Sequence, residues 1–455
     1  MSYHLEERLY TGKMTRRDFL WLASVSTASV ALTGCAVNPV SGNPQLMLVS
    51  ERKEIQLDKE NSPHQFSADY GPVQDEALNN YISEVGQKMA AVSHRPQMPY
   101  SFRGVNATYV NAYAFPGGSI ATTRGILLAL QNEGELAGLL GHEIGHVNAR
   151  HTASQMSQGM LINAALVVGT LILSLSEKYR KYAHLIALLG QIGAGVLLAR
   201  YSRDDERQAD ALGMQYMTKT GQNPEGMVGL MELLNTMSKH KPSTIDMMFQ
   251  SHPMSSERYQ TAKAATNAQY RSLKNTSLYR ERYMDNTARL RRLKKPIESM
   301  QQGEKEMASE QLGPAERQFK KALTYAPDDY AALMMMSQCQ LTQEKTDEAR
   351  HYASLAKQVY PTEAQAHHIS GIANMMSDRF DKAFQDFDGY EKRLPGNPNT
   401  VFLKAASLEG MQDKQAAASE YARFLQFTEQ GEQAQYARER LKDWGYLGTS
   451  RFRRR

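Results

Sequence analysis

His142-Glu143-x-x-His146 is the smallest set of residues in the chain that could do metal chemistry. Residues four apart share a helical face, so both imidazoles can reach one zinc ion, with Glu143 beside them as general base toward a water. The string alone could be no more than two exposed histidines on a helix, so a third ligand decides the matter. Position 149 is Ala149 and position 152 is Thr152, which removes a nearby third histidine. A downstream carboxylate must serve instead. Asp204-Asp205-Glu206-Arg207-Gln208-Ala209-Asp210 supplies it, with Glu206 and Asp210 four apart on one helical face. With Glu206 on the metal, Asp210 is placed to accept the free ring N–H of a ligand histidine and so fix its orientation. Asp204 and Asp205 read as a solvated helix face.

The elements that must carry these groups are legible in outline. Leu136, Leu139, Leu140, Ile144 and Val147 recur at helical spacing and predict an amphipathic helix through the motif. Tyr, Phe and β-branched residues from Ala112 to Ile120 surround Pro116-Gly117-Gly118, which predicts an edge strand broken by a turn. Two apolar runs lie between the halves of the site, within 160–199. Each falls short of the roughly 20 residues needed to span a bilayer, so they read as buried or site-covering helices, with a lid as the expected role.

The ends of the chain say where it goes. Arg16-Arg17 precedes a short apolar run closed by Leu32-Thr33-Gly34-Cys35, an export signal with lipidation expected at Cys35. The arginine pair fits a twin-arginine signal or the basic start of an ordinary secretory one. Cys35 and Cys339 are the only two cysteines, which implies no disulfide framework. The formal net charge of +5 includes the four arginines of Arg451-Phe452-Arg453-Arg454-Arg455. The remainder is near balance, which argues against a nucleic-acid partner.

Further along, Pro327, Pro361 and Pro395 are 34 residues apart, as are Ala315, Ala349, Ala383 and Ala417. Gly303, Ser337, Gly371 and Ala405 offer small residues opposite Phe319, Ala353, Phe387 and Tyr421. The pattern resembles tetratricopeptide repeats, paired helices that stack into a protein-binding surface.

The zinc motif and the Glu206 helix combine with Asn111-Ala112-Tyr113-Ala114-Phe115-Pro116-Gly117-Gly118, Tyr201-Ser202-Arg203 and Ser251-His252-Pro253. Together they resemble the zinc metallopeptidase family of the HtpX membrane protease and the CAAX prenyl protease, in particular its lipid-anchored or periplasmic branch with C-terminal repeats. The resemblance implies one zinc ion per chain held by His142, His146 and Glu206, with Glu143 as base. It places His252 near the metal, to stabilise an oxyanion or to occupy the open position, with Arg258 accompanying it. A structural histidine is the plainer alternative. It also favours substrate pairing along Asn111, Ala112 and Tyr113. The expected fold is mainly α: a helical metalloprotease domain with a small β-sheet edge, then an α-solenoid. The expected division is a signal at 1–34, tether at 35–70, peptidase domain at 71–270, helical connector at 271–295, repeats with a closing helix at 296–445 and a basic tail at 446–455. The expected function is an endopeptidase facing the periplasm, on the outer rather than inner membrane, that degrades misassembled envelope proteins. The repeats would dock those substrates or the outer-membrane assembly machinery. The alternative is a chaperone or scaffold with a blocked or structural zinc site.

Overall fold

The computed structural model describes residues 35–162, 201–240 and 246–447. The export segment 1–34, nearly all of the apolar cover at 160–199 and residues 448–455 of the tail lie outside the described residues. Among the described residues no helix is long and apolar enough to cross a membrane. The fold is mainly α, a helical domain with a small sheet followed by a helical repeat region.

The described chain opens with an antiparallel hairpin, β1 (Cys35–Val37) against β2 (Pro44–Leu46). Next come α1 (Glu51–Ala68), capped by Ser50, and α2 (Glu76–Ala90), capped by Asp75. The sheet holds β3 (Ser101–Val105), β4 (Ala112–Ala114) and β5 (Ser119–Thr123) in the order β3-β5-β4. β5 is parallel to β3 and antiparallel to β4. The segment expected as one interrupted edge strand is therefore two strands of different standing. β4 is the edge, and Gly118, at φ 102°, turns the chain into the central β5.

After α3 (Arg124–Ala129) comes α4 (Glu133–Ala149), which carries the histidine motif. Its start is fixed by a reciprocal cap: Asn132 accepts the Glu135 N–H, and the Glu135 carboxylate accepts from the Asn132 amide at 2.8 Å and the Gln131 N–H at 2.6 Å. Its end is Arg150, left-handed at φ 61° although not glycine. Arg150 donates to Glu54 at 2.8 Å and to the Val49 carbonyl at 2.7 Å, contacts that offset the cost of that backbone. Arg95 and Asn38 donate to the end carbonyls Val147 and Ala149, so the chain between Asn38 and Glu54 helps close the motif helix.

Beyond α5 (His151–Ile162) the described chain resumes at Tyr201 and enters α6 (Arg203–Lys219). Ser202 and Asp205 form a capping box there, so Asp205 has a structural part that a purely solvated face would not give it. α7 (Glu225–His240), α8 (Asp246–Ser251) and α9 (Ser256–Asn267) complete the domain. α4 and α6 pack closely because Gly141 and Gly145 face Gly213 and Ala209. A Cβ on Gly145 would lie 2.9 Å from the Ala209 carbonyl oxygen.

Residues 271–295 are broken into a short turn of helix at Arg271–Leu273, then α10 (Arg280–Asn286) and α11 (Ala288–Arg292). They are packed rather than loose. One apolar core runs from Leu139 and Met227 through Tyr283 and Ile297 to Phe319 and Met335.

The repeat region comprises α12 (Lys294–Ala308), α13 (Leu312–Tyr325), α14 (Tyr330–Thr342), α15 (Thr346–Val359), α16 (Gln365–Met376), α17 (Phe380–Arg393), α18 (Pro398–Gly410), α19 (Lys414–Phe424) and α20 (Glu432–Asp443). The aromatic rings of Phe319 and Phe387 fill the space that Gly303 and Gly371 leave. The two regions meet over polar contacts as well. Arg124 forks onto Asp329 at 2.6 and 3.3 Å, both nearly fully buried. Glu363 bonds Ser67 and Tyr330, Tyr360 donates to the Pro72 carbonyl at 3.2 Å, and Gln74 donates to the Val359 carbonyl at 3.0 Å.

Candidate active site

α4, α6 and the turn after α8 bring His142, His146, Glu206 and His252 together, all within 5% of complete burial. Their donor atoms converge. His142 Nε2 lies 3.0 Å from His146 Nε2 and 3.3 Å from His252 Nδ1, while Glu206 Oε1 lies 3.3 Å from His146 Nε2 and 2.9 Å from His252 Nδ1. Tetrahedral zinc with bonds of about 2.0–2.1 Å requires ligand atoms about 3.3 Å apart. The donor set therefore has the spacing of a zinc shell.

The charges fit a divalent cation too. Glu143, Glu206 and Asp210 are buried with one guanidinium, Arg258, among them. Arg258 pairs with Asp210 and Glu206, and a divalent cation among the imidazole nitrogens would supply further counter-charge to the Glu206 and Glu143 carboxyls. Asp210 Oδ1 is 2.9 Å from His142 Nδ1. Arg258 forks onto Asp210 at 2.7 Å through Nε and Nη2, and its Nη1 reaches Glu206 Oε2 at 2.5 Å. Burial alone would raise the Asp210 carboxyl, but Arg258 beside it holds it below the usual carboxylate range. Burial likewise opposes ionisation of Glu206, and His252 and His142 outweigh it, so Glu206 titrates well below its ordinary value.

Glu143 behaves differently. Burial pushes its carboxyl up despite His252 and His142 nearby, its Oε2 has no hydrogen-bond partner among the described residues, and its Oε1 lies 3.9 Å from His252 Nε2. β4 packs against α4, which puts Ala112 and Tyr113, with Asn111 just before them, beside the motif helix. Asn111 Oδ1 is buried without a partner among the described residues, and the Tyr113 hydroxyl donates to Asp69 at 2.5 Å. Cys35 lies in strand β1, its backbone paired with Leu46.

Three side chains have a larger part than the sequence pattern gave them. The Tyr201 ring stacks on His146 with centroids 3.8 Å apart. His151 Nδ1 lies 2.9 Å from His146 Nδ1, and Gln208 Oε1 lies 3.0 Å from His151 Nε2. Arg258, a minor candidate from sequence, is the guanidinium around which both α6 carboxylates gather.

A helix-borne histidine pair with a buried glutamate supplied by a second helix is a donor set that could hold a metal ion. Residues 76–266 match the model of peptidase family M48. The beta-barrel assembly-enhancing protease of Yersinia pestis is 27% identical over 198 residues, which are 43% of this chain and 40% of that protein. Its namesake in Escherichia coli K12 is 26% identical over 196 residues, with the same shares. Metalloprotease YcaL of Escherichia coli K12 is 32% identical over 162 residues, 36% of this chain and 60% of that protein. The match thus spans about two-fifths of the length of the assembly-enhancing proteases.

Proposed function

We propose that this chain is a zinc-dependent endopeptidase of the bacterial cell envelope, anchored by lipid on Cys35, that degrades misassembled envelope proteins. The observation that carries the reading is the convergence of His142, His146 and Glu206 at tetrahedral spacing beside Glu143, whose Oε2 lacks a partner among the described residues. His142, His146 and Glu206 would hold the ion, which when bound supplies Lewis acidity, lowering the pKa of water to about 7 and polarising a carbonyl. Glu143, kept basic by burial, takes a proton from the attacking water and returns it to the leaving amine nitrogen. Asp210 orients His142 by accepting its Nδ1–H, and Arg258 keeps Asp210 ionised for that task. An extended substrate would pair its main chain with the β4 edge at Asn111, Ala112 and Tyr113. Tetratricopeptide repeats after about residue 296 would present substrates or dock an assembly machine. The export signal and the names of the assembly-enhancing relatives support the envelope setting.

His252 lies within the donor set rather than beside it, which favours occupation of the fourth position over a role at an oxyanion. Four protein donors make a closed set, as in structural zinc sites, and this keeps a second reading in play: a chaperone or scaffold with a blocked centre.

Zinc content and cleavage of an unfolded protein such as casein, measured on wild type and Glu143→Gln, separate the two. The peptidase reading expects one zinc per chain in both proteins and a loss of at least about 10²-fold in cleavage for the variant. Equal slow rates in both would transfer the function to the scaffold reading, and a folded chain that takes up no zinc would sink the centre itself.

A further inference from the structure

We propose that His151 is a positioning residue that sets the tautomer of His146 and so aims the His146 Nε2 lone pair into the metal centre. The inference rests on the reading of His142, His146 and Glu206 as metal-binding. His151 is 3% exposed and is sandwiched along its hydrogen-bonding axis. Its Nδ1 faces His146 Nδ1 at 2.9 Å, and its Nε2 faces Gln208 Oε1 at 3.0 Å and Asp205 Oδ1 at 3.4 Å.

An amide can be turned over, but an ionised carboxylate only accepts. With Asp205 on that side, His151 Nε2 carries the hydrogen whichever way the Gln208 amide faces. A neutral imidazole has one N–H, so His151 Nδ1 is a lone pair. Two nitrogens 2.9 Å apart need one hydrogen between them, and it must belong to His146 Nδ1. His146 Nε2 is then bare, directed at His142 Nε2, which Asp210 leaves bare by the same logic. Two bare nitrogens 3.0 Å apart repel unless a cation lies between them. Tyr201 completes the clamp, stacked on the His146 face with its hydroxyl 2.9 Å from Thr152 Oγ1.

The two ligand histidines are thus oriented by different chemistry, His142 by a carboxylate and His146 by a neutral ring. The neutral acceptor orients His146 without adding another negative charge to a pocket that already holds three carboxylates and one guanidinium. The chain ending makes this possible. On a straight helix a residue five positions on stands about 140° round the axis and could not fold beneath His146. The left-handed Arg150 breaks α4 immediately before His151 and turns the ring back.

The test uses the full chain and two readouts that do not depend on catalysis. Nitrogen-15 spectra of the metal-free wild type should show His146 as the Nδ1–H tautomer and His151 as Nε2–H. Zinc affinity by chelator competition should weaken about 10- to 100-fold in His151→Leu, and His151→Asn, whose Oδ1 can accept in place of Nδ1, should recover to within about threefold of wild type. His146 found as the Nε2–H tautomer overturns the proposal, even if the Leu variant fails to fold. So does a Leu variant that binds zinc as wild type does, or an Asn variant as weak as Leu. Wild type that binds no zinc would instead overturn the metal-centre reading on which the proposal stands.

Discussion

On the metal-centre reading proposed above, His252 would decide whether the centre is open. Its Nδ1 sits where a substrate or water would need to be, 3.3 Å from His142 Nε2 and 2.9 Å from Glu206 Oε1. If the closed arrangement holds about nine-tenths of molecules, removing the ring frees the rest and raises turnover about tenfold. His252→Ala is therefore expected to keep its zinc and cleave unfolded protein faster, as initial rates would show; unchanged zinc content and unchanged cleavage would make His252 a structural residue. At this scale the sequence is readable where chemistry follows helical spacing. His142, Glu143 and His146 sit within one turn, and Glu206 and Asp210 repeat the interval. Arg258 is 48 residues beyond Asp210 and Tyr201 is 55 beyond His146, distances at which no periodicity links a residue to its partner. His151 is close in sequence but hidden for the opposite reason: a reader who extends the helix through it places it on the wrong face, and only the left-handed Arg150 corrects this.

Between elements, the decisive dimension is the separation of α4 and α6, because one carries the two histidines and the other the glutamate. Gly141 and Gly145 on α4 and Gly213 on α6 keep it short. Overpacking a tight contact costs about 1–3 kcal/mol and forces the backbones apart. Gly145→Val should consequently lose most of its bound zinc and melt several degrees lower, whereas Gly313→Ala, with only the end of the Arg317 side chain nearby, should keep its zinc. Metal analysis of the two purified variants checks this; full zinc in Gly145→Val would mean the helices can part without disturbing the donors. The glycines stand in plain view inside Gly-His-Glu-Ile-Gly-His, yet one sequence cannot say whether a helical glycine faces another backbone or solvent. The sheet is obscure in the same way. The Ala112–Ile120 segment is legible as extended chain broken by a turn, but the central place of β5 depends on parallel pairing with β3, which no local pattern encodes.

Across the molecule, the junction between the helical domain and the repeat region holds a half-buried carboxyl with an unusual titration. Burial lifts Glu304 from 4.5 to about 7, while a hydrogen bond from Thr108 and the charge of Arg124 pull the other way. A carboxyl whose pKa is higher in the folded chain stabilises most fully below its unfolded value. Stability should therefore decline from about pH 4.5 and level off above pH 7, a change of about 3 kcal/mol. Glu304→Gln should flatten that decline, read as the difference in unfolding free energy between pH 5 and pH 8. An undiminished slope in the variant would assign the titration to another group.

The same junction governs when the protein becomes complete as it is made. The stretch from Ser67 to Gln74 emerges early, but its partners Val359, Tyr360 and Glu363 lie almost 300 residues later. Glu54 likewise waits 96 residues for Arg150. A growing chain that has already exposed His142, His146 and Glu206 still lacks the groups that bond Ser67, Pro72 and Gln74. Synthesis order thus places these contacts after α12–α15, the first four helices of the repeat region, so a chain cut short before them carries His142, His146 and Glu206 without the partners of the Ser67–Gln74 stretch.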